Sequence, residues 1–343
     1  MKILMFTDNH FSETSSIISK HGNKYSIRLE NQLKSINWLE RIAEEQKCDL
    51  VVCLGDFFNK PALNDDEITA VNDIEWSNIQ HYFIVGNHES EERTLQCSST
   101  MILKDTNREI IYEPCKKLHD NVELCMLPYI IESDRKKLAE YFGQREKQIR
   151  VILSHNDIKG IQMGPAVSQT GFEIEDIDSN CDLFINGHLH NGQPVSKKAL
   201  NLGNLTGKDF GEDATRYKHQ VLILDTDKMS CTFIENPHAF NFYKIEVLNE
   251  QDLDKFDNIK NNSALSITCK DSLISKLQQK LNSLADKIIA QRIIRAKVFA
   301  DSSDVEIDIS DLTVDHIARF CECCREKIEN TPILEAELAE ICK

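Results

Sequence analysis

Seven short apolar runs, rich in β-branched residues, recur at residues 3–7, 50–54, 82–85, 122–127, 151–154, 183–186 and 221–224. Runs of this length suit buried β-strands better than core helices. Most of them break off abruptly into a polar motif. Between the first two, Leu33, Ile36, Leu39, Ile42 and Ala43 keep the spacing of one helix face. Alternating strands and helices predict an α/β fold whose functional residues gather just past the C-terminal ends of the strands. The later strands follow one another too closely for a helix between each pair. That predicts a two-sheet β-sandwich flanked by helices rather than one doubly wound sheet.

A boundary is expected near Asn236-Pro237-His238, giving a catalytic domain over residues 1–238. Beyond it the pattern restarts. Strands are expected at 243–248 and 265–268, then a long amphipathic helix carrying Leu273, Leu277, Leu281, Leu284 and Ile288 on one face. A strand at 295–299 follows, and Val305, Ile307 and Ile309 alternate with acids as a half-buried strand would. This predicts a small α/β domain over 239–312. A helical tail over 313–343 carries Ile317, Phe320, Cys324 and Ile328 on one face, and Thr331-Pro332 opens its last helix.

Composition narrows the setting. Forty Lys and Arg against 56 Asp and Glu leave a net charge of −16, which opposes unaided binding to a phosphate backbone. A nucleic-acid substrate would then need a local basic surface or a partner. No apolar run approaches the roughly 20 residues of a membrane span, so no membrane association is expected. The opening Met1 to Phe6 is closed too early by Asp8 for a signal peptide and reads as a first core strand. The 12 cysteines are scattered without disulfide-scaffold spacing, which predicts reduced thiols and a cytoplasmic protein. Cys321, Cys323 and Cys324 would point in different directions on a helix, with no second Cys or His pair nearby in sequence. Ordinary thiols are expected there rather than a metal site.

The chemistry lies in the polar motifs: Asp8-Asn9-His10, Gly55-Asp56, Gly86-Asn87-His88-Glu89, Ser154-His155 and Gly187-His188-Leu189-His190. Each alone is weak, since a Gly-Asp after a strand usually makes a turn. Together they supply carboxylate, amide and imidazole groups in the number a two-metal phosphoester-cleaving site requires, all at strand ends. Asp8 and His10 could serve one ion only if the strand leaves its pleat there. Asp56 follows a glycine that permits a tight turn, and it is the natural bridge between two ions. Asn87 offers an amide oxygen, and His155, His188 and His190 offer nitrogens. Mixed oxygen and nitrogen ligation suits manganese or iron, with zinc possible and magnesium less suited. His119, His219 and His238 lack motif context and are left out of the site.

In this order the motifs resemble those of the calcineurin-like metallophosphoesterase superfamily, D-x-H, GD, GNH-[DE], H and GHxH, over roughly the first 235 residues. The resemblance implies that Asp8, His10, Asp56 and His190 hold a first divalent ion. Asp56, Asn87, His155 and His188 would hold a second. It makes His88 a general acid or transition-state stabiliser over the scissile phosphate, so that His88, Asp56 and Asn87 form the catalytic set. Glu89 would either fix the tautomer of His88 or be a solvated loop carboxylate.

Two stretches narrow the resemblance. Gly55-Asp56-Phe57-Phe58-Asn59-Lys60-Pro61 lacks the arginine that protein phosphatases carry after GD. It is similar instead to the GDxF…P run of the SbcD-type DNA-repair nuclease subunit. The segment from Leu202 to Glu212 is similar to that family's G-S-x…x-F-x-E stretch, although Phe11-Ser12 replaces the usual Leu-Gly after the first His. By resemblance the C-terminal domain would cap duplex DNA ends, and helices at residues 66–76 and 93–104 would lie where the family forms homodimers. An SMC-like coiled-coil ATPase would be the partner, with the helical tail as one place for it to dock. The leading expectation is a manganese-dependent DNA exonuclease and endonuclease of recombination and repair. The alternatives are a phosphodiesterase or phosphatase on nucleotides or other small phosphoesters, and a DNA-end-binding scaffold.

Overall fold

The computed structural model describes residues 1–18, 21–90, 94–163 and 166–296. The chain runs through β1 (Lys2–Phe6), α1 (Ile27–Glu45), β2 (Leu50–Cys53), α2 (Asp65–Asn72), β3 (Gln80–Ile84), β4 (Arg108–Ile111), β5 (Cys115–His119) and β6 (Val122–Leu127). It continues through α3 (Leu138–Phe142), β7 (Ile149–Ser154), a small hairpin of β8 (Gln162–Met163) and β9 (Ala166–Val167), and α4 (Ile174–Asn180). Then come β10 (Leu183–Asn186), β11 (Gln193–Pro194), β12 (Ala199–Asn201), β13 (Gln220–Asp225) and β14 (Ser230–Glu235).

These strands build two six-stranded sheets, ordered β14-β13-β1-β2-β3-β4 and β11-β12-β10-β7-β6-β5. Their register sorts side chains by parity, because successive residues of a strand point to opposite faces. In the parallel β1–β2 pair, Ile3 lies opposite Leu50 and Met5 opposite Val52. This set packs between the sheets with Leu124, Met126, Val151, Leu153 and Ile185. The alternate residues Leu4, Phe6, Val51 and Cys53 meet Leu29, Ile36, Leu39 and Ala43 of α1 on the outer face. The far side of the second sheet packs on α3 and α4 through Leu138, Phe142 and Ile177. The fold is therefore mixed α/β, with paired sheets flanked by helices, as the spacing of the apolar runs predicts. Helix α1 starts where Ser26 Oγ accepts a hydrogen bond from Leu29 N at 3.2 Å, satisfying one of the free amides of a first turn.

From Asn241 a third, all-parallel sheet forms from β15 (Asn241–Val247), β16 (Ser263–Cys269) and β17 (Ile288–Arg295), with α5 (Ile274–Asn282) between the last two strands. Leu277 and Leu281 of α5 cover Ile245, Leu265 and Ile267 on one face. On the other face Phe242 and Ala264 pack with Ile18 and Phe240.

Two expectations need correction. The helix carrying Leu273 to Ile288 ends at Asn282, and Ile288 opens β17 instead. Leu284 and Ile288 still reach the core that their helical spacing suggested. The β-branched run Ile288, Ile289, Ile293 and Ile294, however, finds backbone partners along β16 that a continued helix would forgo. Of the strand expected at 295–299, Arg295 closes β17 and residues 297–299 lie outside the described residues. Residues 93–104 are not an α-helix: Leu95–Cys97 and Ser99–Leu103 form short 3₁₀ turns. The strand at 305–309, the cysteines at 321–324 and the tail at 313–343 lie outside the described residues. No helix among the described residues is long and apolar enough to cross a membrane.

Candidate metal centre

The C-terminal ends of β1, β2, β3, β7 and β10 converge, and each delivers part of one polar cluster. After Phe6 the chain leaves the pleat: Asp8 has φ 50° and His10 φ 48°, so both side chains turn to the same side. Asp8 N and His10 N donate to Gly55 O and Asp56 O, which seats the first loop on the second. Asp56 (φ 50°) and His188 (φ 74°) share this left-handed conformation. It costs a non-glycine residue roughly 1–3 kcal/mol, a strain that concentrates at functional sites. Gly55, at φ 110°, is required. A Cβ there would lie 2.2 Å from His155 Nδ1.

The ligating atoms fall into overlapping groups within 4.8 Å: Asp8, His10 and His190; Asp56, His155 and His188; and His10, Asp56 and His88. Asp56 Oδ2 lies 3.3 Å from His155 Nε2 and 3.9 Å from His10 Nε2, between the first two groups. Asn87 Oδ1 lies 3.0 Å from His188 Nδ1 and 3.3 Å from His155 Nε2. Every residue expected to bind metal is thus brought together. Asp8 and Asp56 are fully buried; Asp8 Oδ1 has no hydrogen-bond partner among the described residues, and Asp56 Oδ2 faces only imidazole nitrogens, the nearer being His155 Nε2 at 3.3 Å. Burying a lone carboxylate oxygen without a counter-charge is costly.

The imidazoles point the same way. His155 Nδ1 faces Leu54 O at 2.8 Å and His190 Nδ1 faces Glu212 Oε1 at 3.0 Å. Each of these Nδ1 atoms can donate its proton to that acceptor, so a neutral ring would direct its Nε2 lone pair into the cluster. His10 Nε2 and His190 Nε2 face each other at 2.9 Å. Converging lone pairs and an orphaned carboxylate oxygen fit divalent cations.

Protonation follows the same electrostatics. Burial disfavours charge on His155, but Asp56 outweighs it and pushes the imidazole up to about 9. Asp56 itself, although buried, is held well below the usual carboxylate range by His155, His10 and His88. His10 is pushed well down by burial and by His190. Without metal, the His155 proton supplies the positive charge that a cation would bring, so loading would release protons.

His88 is set apart from the ligands. Its backbone N–H donates to Asp56 Oδ1 at 3.0 Å, and its Nδ1 faces Asn59 O at 3.2 Å. The ring packs edge-on against His10 at 4.8 Å. Its Nε2 makes no hydrogen bond among the described residues. Burial lowers its pKa. Asn59 O, rather than Glu89, thus fixes the His88 tautomer. Glu89 is fully buried, not solvated, and accepts from Gly86 N at 2.8 Å and Phe58 N at 3.0 Å. Neither role expected for Glu89 survives: it ties the loop after β3 to the loop after β2.

Phe57 and Phe58, singled out in the sequence, are wholly buried, and their rings pack with Phe11 and Phe83. They belong to the core that α1 covers. Glu212 lies on the site because it also accepts from Asn204 Nδ2 and Lys208 N. Asp157, which no motif marked, faces His188 Nε2 at 3.1 Å. An acid two residues past a ligand histidine was the available signal for it.

Paired sheets that present oxygen and imidazole donors at converging strand ends define a metal-dependent phosphoesterase. Residues 1–192 match the family model for calcineurin-like phosphoesterases, and the chain belongs to that family, whose members bind two divalent ions. Among solved structures, a dimetal phosphatase from Danio rerio is 13% identical, covering 69% of this chain and 99% of its own, with a TM-score of 0.36. Vacuolar protein sorting 29 from Cryptosporidium parvum is 13% identical over 68% of this chain and 96% of its own, with a TM-score of 0.30. A metallophosphoesterase from Sphaerobacter thermophilus is 12% identical over 68% and 88%, with a TM-score of 0.30. No curated protein sequence matches the chain.

Proposed function

We propose that this phosphoesterase is a DNA nuclease, the hydrolytic subunit of a recombination and repair complex, acting as a homodimer with an SMC-like coiled-coil ATPase. The observation that carries the reading is the position of the 202–212 segment. Its similarity to the SbcD-type stretch singled it out, and its Glu212 holds His190 while its Asn204 holds Glu212. No arginine follows Asp56 in the position that protein phosphatases use to grip a phosphate. Two cations stand near the acids instead: Lys208, which interacts with Asp56 and Asp8, and the buried Arg28, whose Nε and Nη1 have no hydrogen-bond partner among the described residues. The overall charge of −16 is then offset by the partner ATPase, which would supply much of the DNA affinity.

Asp8, His10, Asp56 and His190 would hold one ion, and Asp56, Asn87, His155 and His188 the other, with manganese best suited to the donors. Such ions, when bound, activate water and neutralise charge on the reacting oxygens. His88 does the proton work. Asn59 O holds its Nδ1–H, so the ring presents Nε2 on the site side, where as imidazolium it can give its proton to the leaving oxygen. Glu89 keeps the His88 loop in register with Asp56.

The test incubates the protein and Mn²⁺ with end-labelled duplex DNA and with bis-p-nitrophenyl phosphate, using Asp56→Asn as control. Cleavage of both, lost in Asp56→Asn, supports the proposal. Turnover of the small ester alone, even with the partner ATPase present, would establish a small-phosphoester hydrolase instead. DNA binding that survives Asp56→Asn, with no turnover of either substrate, would establish a scaffold.

A further inference from the structure

His155, His188 and His190 each have one ring nitrogen occupied by a partner outside the donor set, and the partners differ in kind; His10 Nδ1 has none among the described residues. His155 leans on a backbone carbonyl, and His190 on Glu212, which is buried and held by two further hydrogen bonds. His188 leans on Asp157, a side chain that no motif predicts and whose support comes from outside the ligand loops.

Asp157 Oδ1 lies 3.1 Å from His188 Nε2, and its Oδ2 lies 3.5 Å from Arg135 Nη2. Arg135 is itself built in. Its side chain is 6% exposed, its Nη2 donates to Ile130 O at 3.0 Å, its Nη1 pairs with Glu132, and its guanidinium lies 5.2 Å over the Phe172 ring. The Asp157 backbone is fixed as well, because its carbonyl accepts from Phe172 N at 3.0 Å. Gly171 packs so closely there that a Cβ would meet Asp157 O at 2.5 Å. The neighbouring Asn156 side chain pins the same loop to Ile130 N and Pro128 O. The carboxylate is therefore presented to His188 by a rigid frame.

If the neutral ring donates Nε2–H to Asp157, its lone pair is on Nδ1, on the side of Asn87 Oδ1 (3.0 Å) and the Asp56 group, where the ion would sit. We propose that Asp157 is a positioning residue for the ion held by His188, fixing that ring's tautomer and angle, with Arg135 holding Asp157 in place. Removing an outer carboxylate of this kind typically costs a metal site about 10–100-fold in affinity. The other ion keeps its own support, His190 on Glu212, so the two affinities should separate. This inference rests on the two-ion centre of the proposed function and not on its substrate.

The experiment titrates full-length protein with Mn²⁺, reading free Mn²⁺ by electron paramagnetic resonance for wild type, Asp157→Ala and Asp157→Asn. Metal-free thermal unfolding is recorded alongside. Expected is a 10–100-fold weakening of one ion in Asp157→Ala, with the second ion and the metal-free unfolding temperature unchanged. Asp157→Asn keeps an acceptor for Nε2 but loses the charge, so it should fall between. Wild-type affinity for both ions in either variant, or equal weakening of both, overturns the assignment. Should Asp157→Ala fail to fold, the near-isosteric Asp157→Asn decides alone by the same criterion. A wild-type protein that binds no Mn²⁺ overturns the centre together with this inference. One that binds two ions but does not cut DNA removes only the nuclease reading.

Discussion

Glu89→Ala tests the idea that a buried carboxylate, rather than a metal, holds the two ligand loops in register. Glu89 takes the backbone N–H of Gly86 on one oxygen and that of Phe58 on the other. Alanine would leave both donors buried and unpaired. Each such donor costs about 1–3 kcal/mol, so the loss should total roughly 2–6 kcal/mol. Glutamine keeps one acceptor and turns an NH₂ toward the other donor, for a loss of about 1–3 kcal/mol.

A pH signature accompanies the loss. Burial, reinforced by Asp56, pushes the Glu89 carboxyl from 4.5 up to about 7. With its folded value raised, the group contributes stability that is fully present below about 4.5. That stability drains away as pH rises toward about 7, because over this window the unfolded chain has released a proton the folded one retains. Glu89→Gln cannot titrate and should remove this part of the slope. The assay is urea unfolding of chelated, metal-free protein at several pH values between 4.5 and 7.5. Glu89→Ala within about 0.5 kcal/mol of wild type, the range of an ordinary surface substitution, would refute the argument. So would an unchanged pH slope in Glu89→Gln.

Two further outcomes are expected. Gly55→Ala places a methyl within 2.2 Å of His155 Nδ1 at a φ of 110° that alanine resists. It should displace His155 and lower Mn²⁺ affinity at least tenfold, as calorimetric titration would register. Burial raises the Cys48 thiol to about 11 and those of Cys125 and Cys181 to about 12. Alkylation of the native protein at pH 8, mapped by mass spectrometry, should therefore label the exposed Cys97 and spare these three until denaturant is added.

The sequence carried the centre well because its ligands sit where strands stop. A polar residue that interrupts a β-branched run is visible without a structure, and Asp8, Asp56, Asn87, His155 and His188 all have that signature. What surrounds them was less visible. Asp157 and Glu212 act on histidines 31 and 22 residues away along the chain, a pairing only the folded sheets create. Asn59 contributes a backbone carbonyl, which any residue could supply. The strands Arg108–Ile111, Cys115–His119 and Ser230–Glu235 escaped because they are short or polar and close the edges of sheets. Leu284 and Ile288 misled by keeping helical spacing across a helix end.

The donors do not all belong to one sheet. Asp8, His10, Asp56 and Asn87 follow strands of the first, whereas His155, His188 and His190 follow strands of the second. Bound ions would therefore act as a clasp across the seam, where groups as far apart in sequence as His10 and His190, 180 residues, already meet. A chain emerging from the ribosome cannot assemble the full set of donors until β10 has docked, so the complete site forms late. Ions that bind only the assembled set of donors would stabilise the joined sheets over either one apart.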